Sequence, residues 1–164
     1  LAKTWWPFLL GHVIEWYDFA VYGSLAHAMQ ENFFDGSALA TWFGFSVTFL
    51  ARPLGGIVLG RMADALSRRR ATIVSITGML AATVGQGVLP TRQCCGETAG
   101  SFGLYVLLLL RLLQGLFAGG ELPAIVAYFA ETAPRGSLAL STALSTAAAI
   151  LAFLLADGFA AVLA

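Results

Sequence analysis

The most informative stretch of this chain is GHVIEWYDFAVYG, residues 11–23. It places two carboxylates, Glu15 and Asp18, inside an apolar segment that extends from Trp5 to Met29. A helix needs about 20 mostly apolar residues to cross a bilayer, and this segment is long enough. Ionisable side chains inside a membrane are costly and mark functional positions by default, so both carboxylates are candidate site residues.

The composition indicates that lipid surrounds most of the chain. Of the 164 residues, 59% are hydrophobic and only 11% are charged, whereas a soluble domain has about 25% charged residues. The formal net charge is zero, so we expect no nucleic-acid partner. The chain starts at Leu1 and shows no cleavable signal pattern, so we expect the natural N-terminus to lie upstream. These features predict an all-α polytopic membrane protein.

Five segments are long and apolar enough to be predicted as transmembrane helices. They are residues 5–29, 37–59, 71–89, 101–129 and 137–164. Ser37 is a suitable N-cap for the second helix, and Pro90 ends the third. No segment has the polar stripe that a helix of a soluble bundle carries, which favours lipid contact.

The distribution of Lys and Arg predicts the orientation of these helices. If the N-terminus is cytoplasmic, most basic residues fall inside, namely Lys3, Arg61, Arg68, Arg69, Arg70 and Arg135. The outside loops then carry Arg92 with Glu31, Asp35 and Glu97. We therefore expect a plasma-membrane or bacterial inner-membrane protein with a cytoplasmic N-terminus.

Three more ionisable side chains fall inside the predicted spans, namely Arg52, Arg111 and Glu121. Asp18 lies ten residues past Phe8, which is about 15 Å along a helix, and Arg111 lies about as deep from the other side. Because the hydrocarbon core is about 30 Å thick, both reach the midplane with opposite charge. Glu15 and Arg52 lie nearer the cytoplasmic side and form a second candidate pair.

Helical spacing gathers these charges on two polar faces. The faces consist of Glu15, Asp18 and Tyr22 on the first helix and of Arg111, Gln114, Ala118 and Glu121 on the fourth. Two polar faces at matched depth favour a hydrated cavity that binds solute and proton. The alternative is a static ion pair that fixes the register of the two helices.

The remaining motifs are better explained by packing than by chemistry. Glycines recur at a spacing of four, which lets membrane helices approach closely; they are Gly56 and Gly60 in the second helix and Gly115 and Gly119 in the fourth. We interpret His12 and His27 as packing or interfacial residues. Cys94 and Cys95 are adjacent, and because neighbouring cysteines rarely have disulfide geometry, we expect two free thiols. We recognise no nucleophile–base pair and no metal-ligand cluster, so we predict no enzymatic activity, no metal and no cofactor.

Several segments, in their order along the chain, resemble motifs of one transporter family. They are GHVIEWYDF (11–19), FLARPLGG (49–56), GRMADALSRRR (60–70), RLLQG (111–115) with GGE (119–121), ETAPRG (131–136) and FLLA (153–156) before Gly158. Over nearly its whole length the chain resembles the metabolite:proton symporters of the major facilitator superfamily. The first-helix motif points to this subfamily, which includes carriers of osmolytes and organic acids.

The resemblance implies a fold of two six-helix halves that rock about a midplane site. Residues 1–164 would supply five helices of the N-terminal bundle, and the missing C-terminal half would be their partner in the same carrier. The implied function is secondary active transport, by proton-coupled symport of an organic acid or a zwitterionic osmolyte. We expect residues 1–164 alone to enclose no transport path.

The resemblance also implies roles for the candidate residues. An acidic residue of the first helix would bind the proton, and Arg111 would favour its charged form until substrate or proton competes. Gln114 and Tyr22 would donate hydrogen bonds to the solute. The implied gating residues, which would latch the two halves in the outward-open state, are Gly60, Asp64, Arg68, Arg69, Arg70, Glu131 and Arg135.

Two departures and two alternatives qualify this interpretation. Ala65 replaces the basic residue that the family has after Asp64, and Ser67 replaces a glycine before the basic cluster.

A sugar porter of the same superfamily would share residues 131–136, but we would not expect it to carry Glu15 and Asp18 in this motif. A non-transporting membrane protein derived from a carrier would lose the midplane charges, which are present here.

Overall fold

The computed structural model describes residues 2–132 and 138–163. In these residues the regular secondary structure is helical, as predicted for an all-α protein. The helices are α1 (Ala2–Ser24), α2 (Ala26–Phe33), α3 (Ala38–Ala65), α4 (Arg68–Gly87), α5 (Arg92–Thr132) and α6 (Leu138–Leu163). The chain divides into a terminal unit, which comprises the described residues of 1–24 and 121–164, and a central unit, Leu25–Gly120.

The first helix is shorter than the predicted span of residues 5–29. Helix α1 ends at Ser24, and a separate helix α2 starts after Leu25, whose φ of −98° and ψ of 16° are not helical. Gly23, which has a lower helix propensity than the residues around it, precedes the break. The apolar composition continues across Leu25, so hydrophobicity alone could not reveal the break.

Helix α1 packs along α6 in the terminal unit. The rings of Trp16 and Phe153 lie 5.7 Å apart between centroids. At the end of α1, the Ser24 hydroxyl donates to the Asp157 carboxylate over 3.0 Å. This contact accounts for an acidic residue late in an otherwise apolar helix.

In the central unit, a tight turn leads from α2 into α3. Asp35 and Gly36 have positive φ values of 51° and 75°, and Ser37 then caps α3 by accepting a hydrogen bond from the Ala40 N–H over 3.3 Å. The predicted Ser37 cap is therefore confirmed. Arg92 at the start of α5 forms an ion pair with Asp35.

Next to this turn lies a small apolar core. Phe33, Phe34 and Leu107 are each at least 94% buried and pack together. Partly buried side chains that surround them are Met29, Ala40, Leu89, Leu104 and Leu108. This core connects the α2–α3 turn to α5 within the central unit.

Helices α3 and α5 approach closely through glycine. A Cβ on Gly55 would lie 2.6 Å from the Leu116 carbonyl carbon, and one on Gly119 would lie 2.8 Å from the Arg52 carbonyl carbon. Both distances are too short for real atoms, so only glycine permits this spacing of the two backbones. The contacts confirm packing roles for Gly115, against Thr48 and Ala51, and for Gly119. On α3, Gly56 lies in ordinary contact with the Gly119 carbonyl oxygen and Gly55 makes the closest approach, whereas the surroundings of Gly60 are open.

The two cysteines correct a sequence-based expectation. Cys94 and Cys95 form a disulfide with each other, although we expected two free thiols. Their Cα atoms lie 3.8 Å apart, below the usual disulfide range of about 4.4–6.8 Å on which that expectation rested. The pair lies in the first turn of α5, just before Gly96 interrupts the helix with a φ of 83°.

Among the described residues, three helical stretches are long and apolar enough to cross a membrane. They are Ala38–Ala65, Arg92–Glu121 and Ala139–Val162, which correspond to the second, fourth and fifth predicted spans. Helix α4 is less apolar because it starts with three arginines and contains several Thr, Ser and Gly residues.

The glycine contacts yield a prediction about stability. We expect Gly55→Ala to lower the free energy of unfolding by about 1–3 kcal/mol, because the added methyl group would push α3 away from the Leu116 backbone. Gly60→Ala is the matched control, since open space surrounds Gly60, and alanine should be neutral or raise helix stability by up to about 1 kcal/mol. Thermal unfolding of the purified variants in detergent measures the difference. Equal melting temperatures would contradict the close approach.

Candidate functional site

A buried polar network joins α4 to α5 in the central unit, and Gln114 lies at its centre. The Arg111 guanidinium donates to the Gln114 side-chain oxygen over 3.0 Å. The Gln86 amide donates to the same oxygen over 3.1 Å, and the Gln114 amide donates to the Thr83 hydroxyl over 3.0 Å. Gln114 is only 1% exposed and Arg111 only 3%. The network therefore holds a cation inside apolar helices.

Helical spacing explains how four polar side chains meet. Arg111 and Gln114 are three residues apart on α5, and Thr83 and Gln86 are three apart on α4, so each pair lies on one face of its helix. The sequence analysis identified Arg111 and Gln114 but missed Thr83 and Gln86. Their i, i+3 spacing in a helix without charges beyond its first turn was the available signal.

The guanidinium of Arg52 contacts an aromatic ring on its own helix. Its guanidinium carbon lies 4.9 Å from the centroid of Phe49, a cation–π contact, and the side chain is half-buried. The backbone carbonyl of Arg52 lies against Gly119. The pairing of Arg52 with Glu15, like that of Arg111 with Asp18, stays a prediction.

A second cluster of ionisable groups lies in the terminal unit. His12, Glu15 and Glu121 are 4%, 2% and 0% exposed. One ligand-type atom from each residue lies within 4.8 Å of the others. His12 Nδ1 is 3.7 Å from a carboxylate oxygen of Glu15, and the Trp16 indole N–H donates to His12 Nε2 over 3.1 Å. Two of these residues, Glu15 and Glu121, are predicted site residues.

His12 is buried and in edge contact with the Trp16 ring, which fits its interpretation as a packing residue, and it also lies beside Glu15 and Glu121. It is three residues before Glu15 and four before Trp16, so both partners lie on its own helix face. The spacing was visible in the sequence, but Glu121 is remote in sequence and could not be placed beside it. Imidazole and carboxylate are ligands of divalent metals, so these three residues could hold such an ion, which the sequence did not suggest.

The other predicted residues of α1 have mixed environments. Tyr22 is 2% exposed, and Asp18 is half-buried. His27, which we grouped with His12, lies on α2 and has an 82% exposed side chain that is 3.5 Å from Glu31. The two histidines therefore have opposite surroundings.

Five of the predicted gating residues, namely Gly60, Asp64, Arg68, Arg69 and Arg70, lie at or next to the α3–α4 connection. Asp64 and Arg70 are exposed. Ser67 caps α4 by accepting from the Arg70 N–H over 3.2 Å, so Arg68 and Arg69 begin the helix. Glu131 lies near the end of α5, and Arg135 lies outside the described residues. Their gating role stays a prediction.

Apolar helices with a buried arginine and buried carboxylates define an integral membrane protein of the carrier type. The chain belongs to the sugar (and other) transporter family, whose model matches residues 5–164. It is the N-terminal part of a major facilitator superfamily fold, as predicted from the sequence motifs. The family description indicates a transport role.

Relatives with assigned roles are bacterial osmolyte carriers. An ectoine/proline transporter of Corynebacterium glutamicum is 39% identical over 131 residues, which cover 77% of this chain and 25% of the relative. A proline/betaine transporter of Escherichia coli K12 is 36% identical over 133 residues, 76% of this chain and 25% of the relative. A glycine betaine/proline/ectoine/pipecolic acid transporter of Dickeya dadantii is 37% identical, with the same coverage. The chain thus spans about a quarter of the length of these relatives. No solved structure matches it.

The Gln114 network yields a prediction about stability. We expect Gln114→Leu to lower the free energy of unfolding by about 3 kcal/mol, because three hydrogen bonds are lost at about 1 kcal/mol each. Gln86→Leu removes one of them and should cost about 1 kcal/mol. Denaturant titration of the purified variants in detergent compares the two costs. If both variants lost the same unfolding free energy, Gln114 would not be the centre of the network.

Proposed function

We propose that this chain forms the first part of a proton-coupled symporter for a small zwitterionic osmolyte. It would act in a plasma membrane or bacterial inner membrane with its N-terminus in the cytoplasm, which the excess of Lys and Arg on one side supports. The observation that best supports this proposal is the buried guanidinium of Arg111, which donates a hydrogen bond to the neutral side-chain amide of Gln114.

The chemistry of Arg111 suits a carboxylate ligand. A guanidinium presents several N–H donors in a planar fork that matches the two oxygens of a carboxylate. Gln114 accepts from one nitrogen of this fork and so orients it. Gln86 and Thr83 fix Gln114 in turn, which reduces the reorganisation needed when a ligand binds.

The names of the relatives support a zwitterion as the solute. Proline, betaine and ectoine, which appear in those names, each carry a carboxylate and a cationic nitrogen. A carboxylate would bind Arg111, and Tyr22 would offer a hydroxyl as a hydrogen-bond donor. The family description also includes sugars, but an uncharged sugar would give a buried guanidinium no opposite charge.

Proton coupling would use an acidic residue of α1. Asp18 is half-buried and lies three residues from Glu15 on the same helix face. When Asp18 is charged, attraction to Arg111 would compete with the carboxylate of the solute. Protonation of Asp18 would release Arg111 to bind the solute, so proton and solute would cross together. The arginine-rich α3–α4 connection would latch the two halves of the carrier in the outward-open state.

The coupling hypothesis predicts the behaviour of charge-removing variants of the full-length carrier. We expect Asp18→Asn to abolish proton-driven accumulation while it retains solute exchange, because the neutral amide leaves the solute site intact. Arg111→Ala should abolish both, since the carboxylate loses its partner. The double variant Asp18→Asn with Arg111→Gln should express better than either single variant, because a lone buried charge costs about 3–5 kcal/mol, yet it should not accumulate solute. Uptake at several external pH values measures all four proteins.

The matched control is Glu97→Gln, which removes a carboxylate that is exposed near the start of α5. It should accumulate solute like the unmodified carrier. A merely structural pair would let the double variant regain uphill transport, and that result would refute coupling through Asp18. Normal pH-dependent accumulation by Asp18→Asn would do the same.

A further inference from the structure

The disulfide between Cys94 and Cys95 is a feature that the transport hypothesis does not use. Both cysteines are exposed and adjacent in sequence, so the bond encloses no loop of the chain. A disulfide stabilises a fold mainly by restricting a loop of the unfolded chain, and the gain grows with the length of that loop. This bond therefore adds little to global stability, and its effect falls on the local structure around it.

The chain folds back on itself at Gly96, whose φ of 83° and ψ of 175° are not helical. In an unbroken helix, Arg92 and Gly100 would lie about 12 Å apart along the axis. Here a Cβ on Gly100 would lie 2.8 Å from the Arg92 Cα, and a Cβ on Gly103 would overlap a backbone oxygen of the preceding segment. The fold-back segment, residues 90–95, thus lies against the body of α5 where only glycine leaves room.

Two reciprocal hydrogen bonds hold the first turn of the fold-back segment. The Cys94 N–H donates to the Thr91 hydroxyl oxygen over 3.3 Å, and the Thr91 N–H donates to Cys94 Sγ over 3.3 Å. This is the pattern of a capping box, in which sulfur takes the place of a glutamate carboxylate. The disulfide to Cys95 stops the Cys94 side chain from rotating, so it keeps the sulfur in the accepting position.

The fold-back segment also holds the turn between α2 and α3. Arg92 forms an ion pair with Asp35, and its side chain is 26% exposed, against 62% for that of Asp35. Asp35 has a φ of 51°, which is uncommon for a residue other than glycine. Because Arg92 packs on Gly100 and follows Thr91 directly, its position depends on the turn that the disulfide restrains.

We propose that Cys94–Cys95 is a redox-sensitive site that controls a clasp, which consists of the fold-back segment and the ion pair of Arg92 with Asp35. Exposed disulfides are the labile and regulatory ones, and both of these sulfurs are open to attack. The inference goes beyond the proposed function, because it concerns how the structure responds to thiol reductants whatever solute the carrier moves.

The reaction is thiol–disulfide exchange with a dithiol reductant. A thiolate of the reductant attacks the sulfur of one cysteine, the S–S bond breaks, and the other cysteine leaves as a thiolate that takes up a proton. The second thiol of the reductant then attacks the mixed disulfide and releases the first cysteine. Two electrons and two protons pass to the protein, and the reductant becomes a disulfide. In the reduced protein the Cys94 side chain can rotate, so the Thr91 N–H loses its acceptor and the clasp loosens.

The test compares the purified full-length carrier in detergent before and after treatment with dithiothreitol under native conditions. Maleimide labelling with peptide mapping should find no thiol at Cys94 and Cys95 before treatment and two thiols after it. Hydrogen–deuterium exchange should become about fivefold faster in residues 30–37 and 90–95, as for the loss of one hydrogen bond. Exchange in α6 should not change, and reoxidation should restore the slower rates.

Three variants separate the bond from the ion pair. Cys95→Ala keeps the Cys94 sulfur but removes the bond, so it should exchange like the reduced carrier with or without dithiothreitol. Arg92→Gln should speed exchange in the α2–α3 turn while the disulfide stays intact. Gln93→Ala is the matched control, since Gln93 is an exposed neighbour, and it should respond to dithiothreitol like the unmodified carrier.

The outcomes separate this inference from the proposed function, since no solute enters the measurement. Two free thiols in the untreated carrier, or a disulfide that dithiothreitol reduces only after unfolding, would overturn the redox site. Reduction without faster exchange in residues 90–95 and 30–37 would overturn the clasp. If a variant fails to fold, the comparison of the oxidised and reduced forms of the unmodified carrier still decides the question.

Discussion

Ionised side chains can remain inside apolar helices only if the protein itself supplies their hydrogen bonds and counter-charges. Water is not available there, and each unsatisfied polar group costs several kcal/mol. Arg111 and Gln114 in the central unit, and His12, Glu15 and Glu121 in the terminal unit, are all more than 95% buried. The arrangement of the helices around these groups follows from this constraint.

The chain meets the constraint differently in its two units. In the central unit a neutral amide supplies the hydrogen bonds, because Gln114 accepts from Arg111 and Gln86 and donates to Thr83. Gly55 and Gly119 allow α3 to pack closely against α5, the helix that carries Arg111. In the terminal unit the buried groups are themselves ionisable, and His12 Nδ1 lies 3.7 Å from the Glu15 carboxylate.

Much of the fold could be predicted because its determinants are local in sequence. The Ser37 cap depends on neighbouring residues, and the ordered motifs identified the family that residues 5–164 match. The break at Leu25 was missed because apolar composition continues through it, and the proximity of His12 to Glu121 was missed because the two residues are remote in sequence. Thr83 and Gln86 were missed because an uncharged polar pair has no strong sequence signal. The disulfide of Cys94 and Cys95 contradicted a general rule about neighbouring cysteines.

The central claim is that a carrier with this chain as its first part moves a zwitterion and a proton together. The direct test is to add betaine or proline to vesicles that contain the full-length carrier, at zero membrane potential, while external pH and labelled solute are recorded together. The account predicts that the external medium becomes more alkaline as solute enters, and that a proton ionophore abolishes this pH change. Solute entry without any change of external pH would contradict the account.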